Sequence, residues 1–308
     1  MISLSTYGTL RWAAALLCVA AVTSCTADPA DPWDDLALPL DAYQLTHEDQ
    51  ARVQRARFAL IRDCMRRFRI DFRGPSTEPV TYPRNASYID LLDRDQVEKY
   101  GYAAPPGQAE EAAAAQTGIR TGYSVTDEQF FVLEGKVKRY RGTPVPPGGC
   151  FAEADGVLNQ GAKGVPPAES ARKFNDDEML TFSYDAADLA WKDPRVRAAE
   201  RSWSACMKEA GFDYATPADA MGDRRWAVTA ADDHIEKPRG TRVEIETAVA
   251  DAGCRLDTGY YGVRRAVYTD HHNRVIAGHR DRLNTIKALN ETRLSNAAKV
   301  LKGELPAR

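Results

Sequence analysis

The chain has 308 residues and a mass of 34.0 kDa, room for one large domain or two of ordinary size. Hydrophobic residues make up 44% and charged residues 28%, and 41 Lys and Arg stand against 44 Asp and Glu, a net charge of −3. This excludes a disordered chain and a nucleic-acid binder that works by bulk basic charge, and six cysteines are too few for a disulfide-dense small scaffold.

Residues 1–24 read as a targeting segment. Arg11 is the only charge there, and an apolar run follows from Trp12 to Val22. The run has the size of a signal-peptide core and is short for a bilayer span. It ends in Val22-Thr23-Ser24-Cys25, which resembles the lipobox of bacterial lipoproteins. That resemblance implies acylation of Cys25 and cleavage before it, leaving 308 − 24 = 284 residues. An ordinary cleaved signal with a chance cysteine is the alternative. Residues 25–45 read as a tether, since 26–41 carry five Asp, three Pro and no Lys or Arg. Such a stretch is expected to be extended and solvated, with a charge that repels anionic headgroups and holds the folded body off the surface. No later segment is apolar enough to span a membrane. The implied partner is the lipid bilayer, met through Cys25 on the outer face of the cytoplasmic membrane.

The body begins with a helix from about Thr46, an N-cap with Asp49 at N3, and Val53, Ala56, Leu60 and Cys64 form its apolar stripe. Residues 73–85 and 101–108 are rich in Pro, Gly, Ser and Thr and read as loops around a short helix over 87–100. Phe130-Phe131-Val132-Leu133 and Val137, within 123–140, read as one or two strands. Residues 161–170 read as a linker, and Thr181-Phe182-Ser183-Tyr184 as another short strand. Asp193-Pro194 starts a second amphipathic helix that stops near Gly211, with Val196, Ala199, Trp203, Cys206 and Ala210 on one face. Thr241 with Glu244 forms a capping box for a helix over Val243–Leu256. From about Gly262 to Leu301 the pattern is helical again. Ile276, Leu283, Ile286, Leu294, Ala297 and Leu301 lie near one face, interrupted by Asn290, and Gly303 and Pro306 end it.

Two stretches of the chain match. Residues 64–75, CMRRFRIDFRGP, and 206–217, CMKEAGFDYATP, share Cys, Met, Asp and Pro at the same offsets. Arg69 stands in the first where Gly211 stands in the second. Each half then offers a second cysteine after a glycine, at Gly149-Cys150 and Gly253-Cys254. With Cys18 in the signal and Cys25 acylated, the simplest pairing is within each half, Cys64 with Cys150 and Cys206 with Cys254. Four buried free thiols are the alternative. The division expected is a first repeat unit over 46–165, a second over 166–260 and a terminal helix over 261–302. The lipobox, the twin Cys-Met blocks and the later Gly-Cys positions together resemble a family of uncharacterised actinobacterial cell-surface lipoproteins. The preference for Arg, 30 against 11 Lys, suits the GC-rich genomes of that group. The resemblance implies a location and a fold type, not a chemistry.

Chemical motifs are sparse. There is no G-x-S-x-G, G-x-G-x-x-G or Cys-x-x-Cys. His47-Glu48 begins like a zinc-protease motif, but Ala51 takes the place of the second His. Gly156 to Lys163 is a spoiled phosphate loop, because Ala162 displaces the lysine. Asp270, His271, His272 and His279 are weak candidates for a divalent metal, with Asp232, Asp233 and His234 more distant. A polar helix face with solvated histidines is the plainer reading, and no cofactor is expected. Arg62, Arg66, Arg67, Arg69 and Arg73 read as a solvated basic face. Tyr260, Tyr261 and Tyr268 line a groove or, more simply, pack in the core. The fold expected is mainly α, with two similar disulfide-linked helical units and a long C-terminal amphipathic helix. The function expected is a non-enzymatic binding or scaffolding module of the cell envelope. Its partner surface is expected on the terminal helix beyond about Leu283, with no nucleic acid involved. An envelope hydrolase and a transporter's substrate-binding lipoprotein are the alternatives.

Overall fold

Side-chain caps set where three of the longer helices begin. The computed structural model of the chain describes residues 36–117, 120, 122, 124–163, 168–226 and 240–305. Their order is a 3₁₀ turn at Pro39–Tyr43, then α1 (His47–Arg67), α2 (Ala86–Ile89), α3 (Arg94–Tyr100), α4 (Gln108–Thr117) and α5 (Asp127–Glu134). A two-residue ribbon follows, β1 (Arg139–Tyr140) paired antiparallel with β2 (Thr143–Pro144). Then come α6 (Gly149–Leu158), α7 (Ala168–Lys192), α8 (Pro194–Glu209), α9 (Pro217–Met221), a 3₁₀ turn at Arg224–Trp226, α10 (Arg242–Asp257) and α11 (Tyr260–Leu301). The fold is mainly α. Thr46, Asp193 and Thr241 accept backbone N–H bonds at the starts of α1, α8 and α10, each orphan donor being met as the sequence predicts.

The twin blocks are twin helix ends. The amide of Ile70 donates to the Met65 carbonyl at 3.2 Å and that of Arg69 to Arg66 at 3.0 Å. The amide of Phe212 donates to Met207 at 2.8 Å and that of Gly211 to Lys208 at 3.1 Å. Both are Schellman ends, with a left-handed residue followed by an apolar one that closes on the turn. The left-handed residues are Arg69 (φ 58°) and Gly211 (φ 92°), so the one mismatch in the repeat falls where glycine is easiest and arginine strained, at a cost of about 1 kcal/mol. Met65 and Met207, whose carbonyls accept these bonds, are both fully buried.

Two disulfides fasten these helices, each with a Cα–Cα separation of 5.7 Å, inside the ordinary range. Cys64–Cys150 ties α1 to the start of α6, and Cys206–Cys254 ties α8 to the last turns of α10. The second cysteines therefore sit at opposite ends of their helices. Gly149 (φ 72°) is required because α5 and α6 meet there: a Cβ would collide with the Leu133 carbonyl and the Gly135 amide. Gly253 lies inside α10 with open space where its Cβ would be. The likeness of the two units is carried by α1 and α8.

Four local expectations fail. Phe130–Leu133 is helical in α5, because Thr126 and Gln129 form a capping box and Gly135 closes the end in the left-handed conformation. A short apolar run does not by itself distinguish a strand from a buried helix. Thr181–Tyr184 lies inside α7. Residues 87–100 are two helices, broken where Asp90 is left-handed (φ 63°). In the expected linker 161–170, Ala168–Ser170 already belong to α7, and 164–167 lie outside the described residues, as does Pro306.

Helix α11 is the spine of the 32–308 unit. Forty-two residues long, it extends about 63 Å at 1.5 Å per residue. Its first half packs on α2, α8 and α10, and its second half on α1 and α6, while α7 runs along it. The backbone kinks at His279 (φ −130°), directly after Gly278, a common cause of such a bend. The expected exposed surface beyond Leu283 is not found. Leu283, Ile286, Leu289, Asn296 and Ala297 are buried, and Leu301 stays exposed. Asn290 donates to the Tyr43 carbonyl at 3.3 Å, and Asn296 to the carbonyls of Leu158 and Gln160, both at 2.9 Å, at the end of α6. Both side-chain amides thus bind the chain's own backbone.

Candidate functional site

The densest polar chemistry lies between α2, α3, α8 and α10. Asp251 and Arg255 are one turn apart on α10 and fully buried. Oδ1 of Asp251 accepts from the Trp203 indole N–H and from Nε of Arg255, each at 2.7 Å. Oδ2 accepts from the Tyr102 hydroxyl and from Nη2 of Arg255, each at 3.0 Å. Four donors fill the acceptor sites of one carboxylate. Nη1 of Arg255 reaches the Asp90 carboxylate at 2.8 Å and donates to the Asp90 carbonyl. The same arginine therefore holds the left-handed turn that separates α2 from α3. Burial, with the Asp251 charge beside it, pushes the Tyr102 phenol far above its ordinary range. Every group is turned inward, so the cluster acts as a clamp.

A second buried cation lies beside it. Arg264 donates from Nε and Nη2 to the Tyr88 carbonyl at 3.2 and 2.7 Å, and its guanidinium lies 4.5 Å from the Trp191 ring centroid. Tyr260 and Tyr268 flank it at 5.6 and 5.5 Å. Cation–π contact stabilises such a charge where water is excluded. Tyr260, Tyr261 and Tyr268 are accordingly core residues, and burial pushes the Tyr261 and Tyr268 phenols up to about 12. Arg57 pairs with Asp155 at 2.6 and 3.1 Å, both buried, and joins α1 to α6, the helices that carry the first disulfide.

The histidines depart from the solvated face expected of them. His271 is 4% and His272 2% exposed. Nε2 of His271 lies 3.3 Å from Asp193 Oδ2, and Nδ1 of His272 accepts the Leu40 amide at 3.3 Å. Nδ1 of His271 and Nε2 of His272 are buried with no hydrogen-bond partner among the described residues. Asp193 caps α8 and bonds Arg195, which also pairs with Asp270 at 2.6 Å. The Arg195 guanidinium and amide hold the Asp193 carboxyl well below the usual carboxylate range. Desolvation, with His271 next to it, pulls His272 down to about 4. Asp270 and His279 are exposed, and the His279 ring lies 4.9 Å from that of Phe182, tilted by 41°. Asp270 and His271 share the Asp193–Arg195 cluster; His272 and His279 face elsewhere.

Among the described residues no group of three or more His, Cys, Asp or Glu is arranged to hold a metal ion. His47 lies with its two ring nitrogens 3.1 Å from the carbonyls of Val80 and Ala115, pinning a loop to α4. The five arginines of the 62–73 run are all exposed, as expected. Cys25, Asp232, Asp233 and His234 lie outside the described residues. Sequence reasoning missed Asp251, Arg255, Arg264 and the Arg57–Asp155 pair. The available signal was weak: Asp251 and Arg255 share a helix face with Ala248 and Ala252, the pattern of a half-apolar surface. No helix among the described residues is long and apolar enough to cross a membrane. Comparison with protein-family models, with curated proteins and with solved structures finds no match to this chain.

Proposed function

We propose that the chain is a lipid-anchored extracytoplasmic protein, acylated on Cys25, that serves the cell envelope as a non-enzymatic binding or scaffolding module. One observation carries the extracytoplasmic part. The four cysteines downstream of Cys25 are all paired in two disulfides that join separate helices. Such crosslinks form and persist in oxidising compartments and are rare in the cytosol. The lipobox-like Val22-Thr23-Ser24-Cys25 supports the anchor, and so does its resemblance to actinobacterial surface lipoproteins. The scaffolding part is supported by the use made of the buried polar groups. Asp251, Arg255, Arg264, Arg57 and Asp155 are engaged with one another, with aromatic rings and with backbone carbonyls. Their bonding capacity goes into rigidity, which suits a platform.

Metabolic labelling with an alkyne fatty acid tests the reading, together with non-reducing peptide mapping of the exported protein. Label is expected on the wild type and absent from Cys25→Ala, with Cys64–Cys150 and Cys206–Cys254 peptides recovered intact. Equal labelling of the variant refutes the anchor. Free thiols at Cys64, Cys150, Cys206 and Cys254 refute the pairing on which the extracytoplasmic reading rests.

A further inference from the structure

Aromatic side chains gather where the tether joins the body. Leu36, the first described residue, packs on a cluster that includes Ile89, Tyr260 and Tyr261. Leu38 is buried against Ala190, Val196 and Tyr268, with Tyr88 beside it. Tyr88 hydrogen-bonds Ser183, next to Tyr184, and its carbonyl holds Arg264, whose guanidinium stacks on Trp191. Tyr184 and Trp191 are two turns apart on one line of α7, and they are 54% and 45% exposed. Tyr88 is half-buried and packs on the cluster that holds Leu38. An exposed tryptophan seated on a buried arginine keeps a fixed orientation, because the guanidinium supports its inner face.

We propose that this collar of Tyr88, Tyr184 and Trp191 is a membrane-seating surface, which places the body in the headgroup region of the bilayer that holds Cys25. The inference rests on the acylation of Cys25 proposed above. Eleven peptide units separate Cys25 from Leu36, so even with the chain fully extended these two residues are at most about 40 Å apart, and Leu38, two residues on, packs with Ala190 and Tyr88. Tyrosine and tryptophan favour the headgroup level, where an apolar ring body and a polar N–H or O–H are both satisfied. The anchor makes contact intramolecular, so a surface too weak to bind free vesicles is still occupied on a short tether. The acidic tether and the exposed Asp185 and Asp188 oppose an anionic surface, so ring insertion rather than charge drives the contact. The expected sequence effect, a body held off the membrane by its tether, is thereby reversed at the collar.

Brominated-lipid quenching in phosphatidylcholine vesicles tests this with the acylated full-length protein. Trp33→Phe removes the tether indole and leaves Trp191, Trp203 and Trp226 in the mature chain. Trp203 and Trp226 are buried in the protein. Bromine near the headgroup end of the acyl chain should remove up to about one third of the emission, the share of one tryptophan in three. Trp191→Phe in the same background should abolish that quenching. Tyr184→Ser, at an exposed position, should reduce it and leave the fold intact. A protein that floats with vesicles but shows no quenching, or quenching unchanged by Trp191→Phe, overturns the collar and leaves the anchor standing. A protein that does not float overturns both. Emission that shifts only when envelope proteins are co-reconstituted assigns the collar to a protein partner and overturns the membrane assignment.

Discussion

Acidification should weaken this fold between pH 6.5 and 4, and His272 is the main cause. The imidazole is buried, and its Nδ1 accepts the Leu40 amide at 3.3 Å, fixing the 3₁₀ turn at Pro39–Tyr43 against α11. Burial puts the protonated ring's charge where water is excluded and His271 lies beside it, so the folded pKa falls to about 4 from 6.5. The folded state then binds fewer protons than the unfolded chain throughout that window, and stability rises with pH across it. At pH 4.5 the linkage amounts to about 2.5 kcal/mol lost relative to neutral pH, and to about 3.4 kcal/mol below pH 4. His47, whose pKa burial also lowers, adds a term of the same sign. Asp193 is distinct: its carboxyl pKa is depressed, so its contribution is complete above the ordinary carboxylate range and is lost only below about pH 4. Urea unfolding from pH 8 to 4 measures the effect. In His272→Asn the side-chain oxygen replaces Nδ1 as acceptor but does not titrate. The variant should be less stable at pH 7.5 yet lose about 2.5 kcal/mol less than the wild type on going to pH 4.5. Amide exchange at Leu40 should quicken in the wild type over the same range. Parallel pH profiles for the two proteins would refute the assignment.

Three further effects follow from the packing. Asp251→Ala leaves Arg255 buried beside Asp90 alone and should cost about 3–5 kcal/mol in urea unfolding, whereas Asp251→Leu with Arg255→Met should cost less than the single change; a larger loss in the double variant contradicts the clamp. Arg69→Gly relieves a left-handed arginine and should stabilise by about 1 kcal/mol, with a lower melting temperature counting against the Schellman assignment. Cys206 is the one half-buried cysteine of the four, so mild reductant with alkylation and mass mapping should open Cys206–Cys254 well before Cys64–Cys150; simultaneous loss of both would remove the distinction.

What the sequence showed clearly was written in local chemistry. Thr46, Asp193-Pro194 and Thr241 mark helix starts because the orphan amides of a first turn need an acceptor within three residues. The repeat of Cys-Met with an apolar residue five places beyond Met marks a helix end for the same local reason. The disulfide pairing followed from that register. Strand-like runs misled because Phe130–Leu133 and Thr181–Tyr184 are apolar or β-prone over four residues, and only the capping box at Thr126 and the length of α7 decide the matter.

The buried ions were illegible because their partners are distant in sequence and their own positions look solvent-facing. On α10 Val243 and Leu256 are exposed, while Asp251 and Arg255 are buried, an inversion that no hydropathy pattern reports. The inversion has a physical basis. Arg255 needs Asp90, Asp251 needs Trp203 and Tyr102, and those residues come from α2, α8 and the segment after α3. Each charge alone at that depth would be costly; together they are satisfied, and the geometry that satisfies them is the fold itself. A helical unit with few large apolar residues on its inner faces gains from such a clamp a defined arrangement of α2, α3, α8 and α10. The first unit reaches the same end with a single Arg57–Asp155 pair and the larger apolar cluster around Phe58, Met65 and Phe151. The two disulfide-linked units thus share their helix ends and differ in what fills them, and α11, running through both, makes them one body.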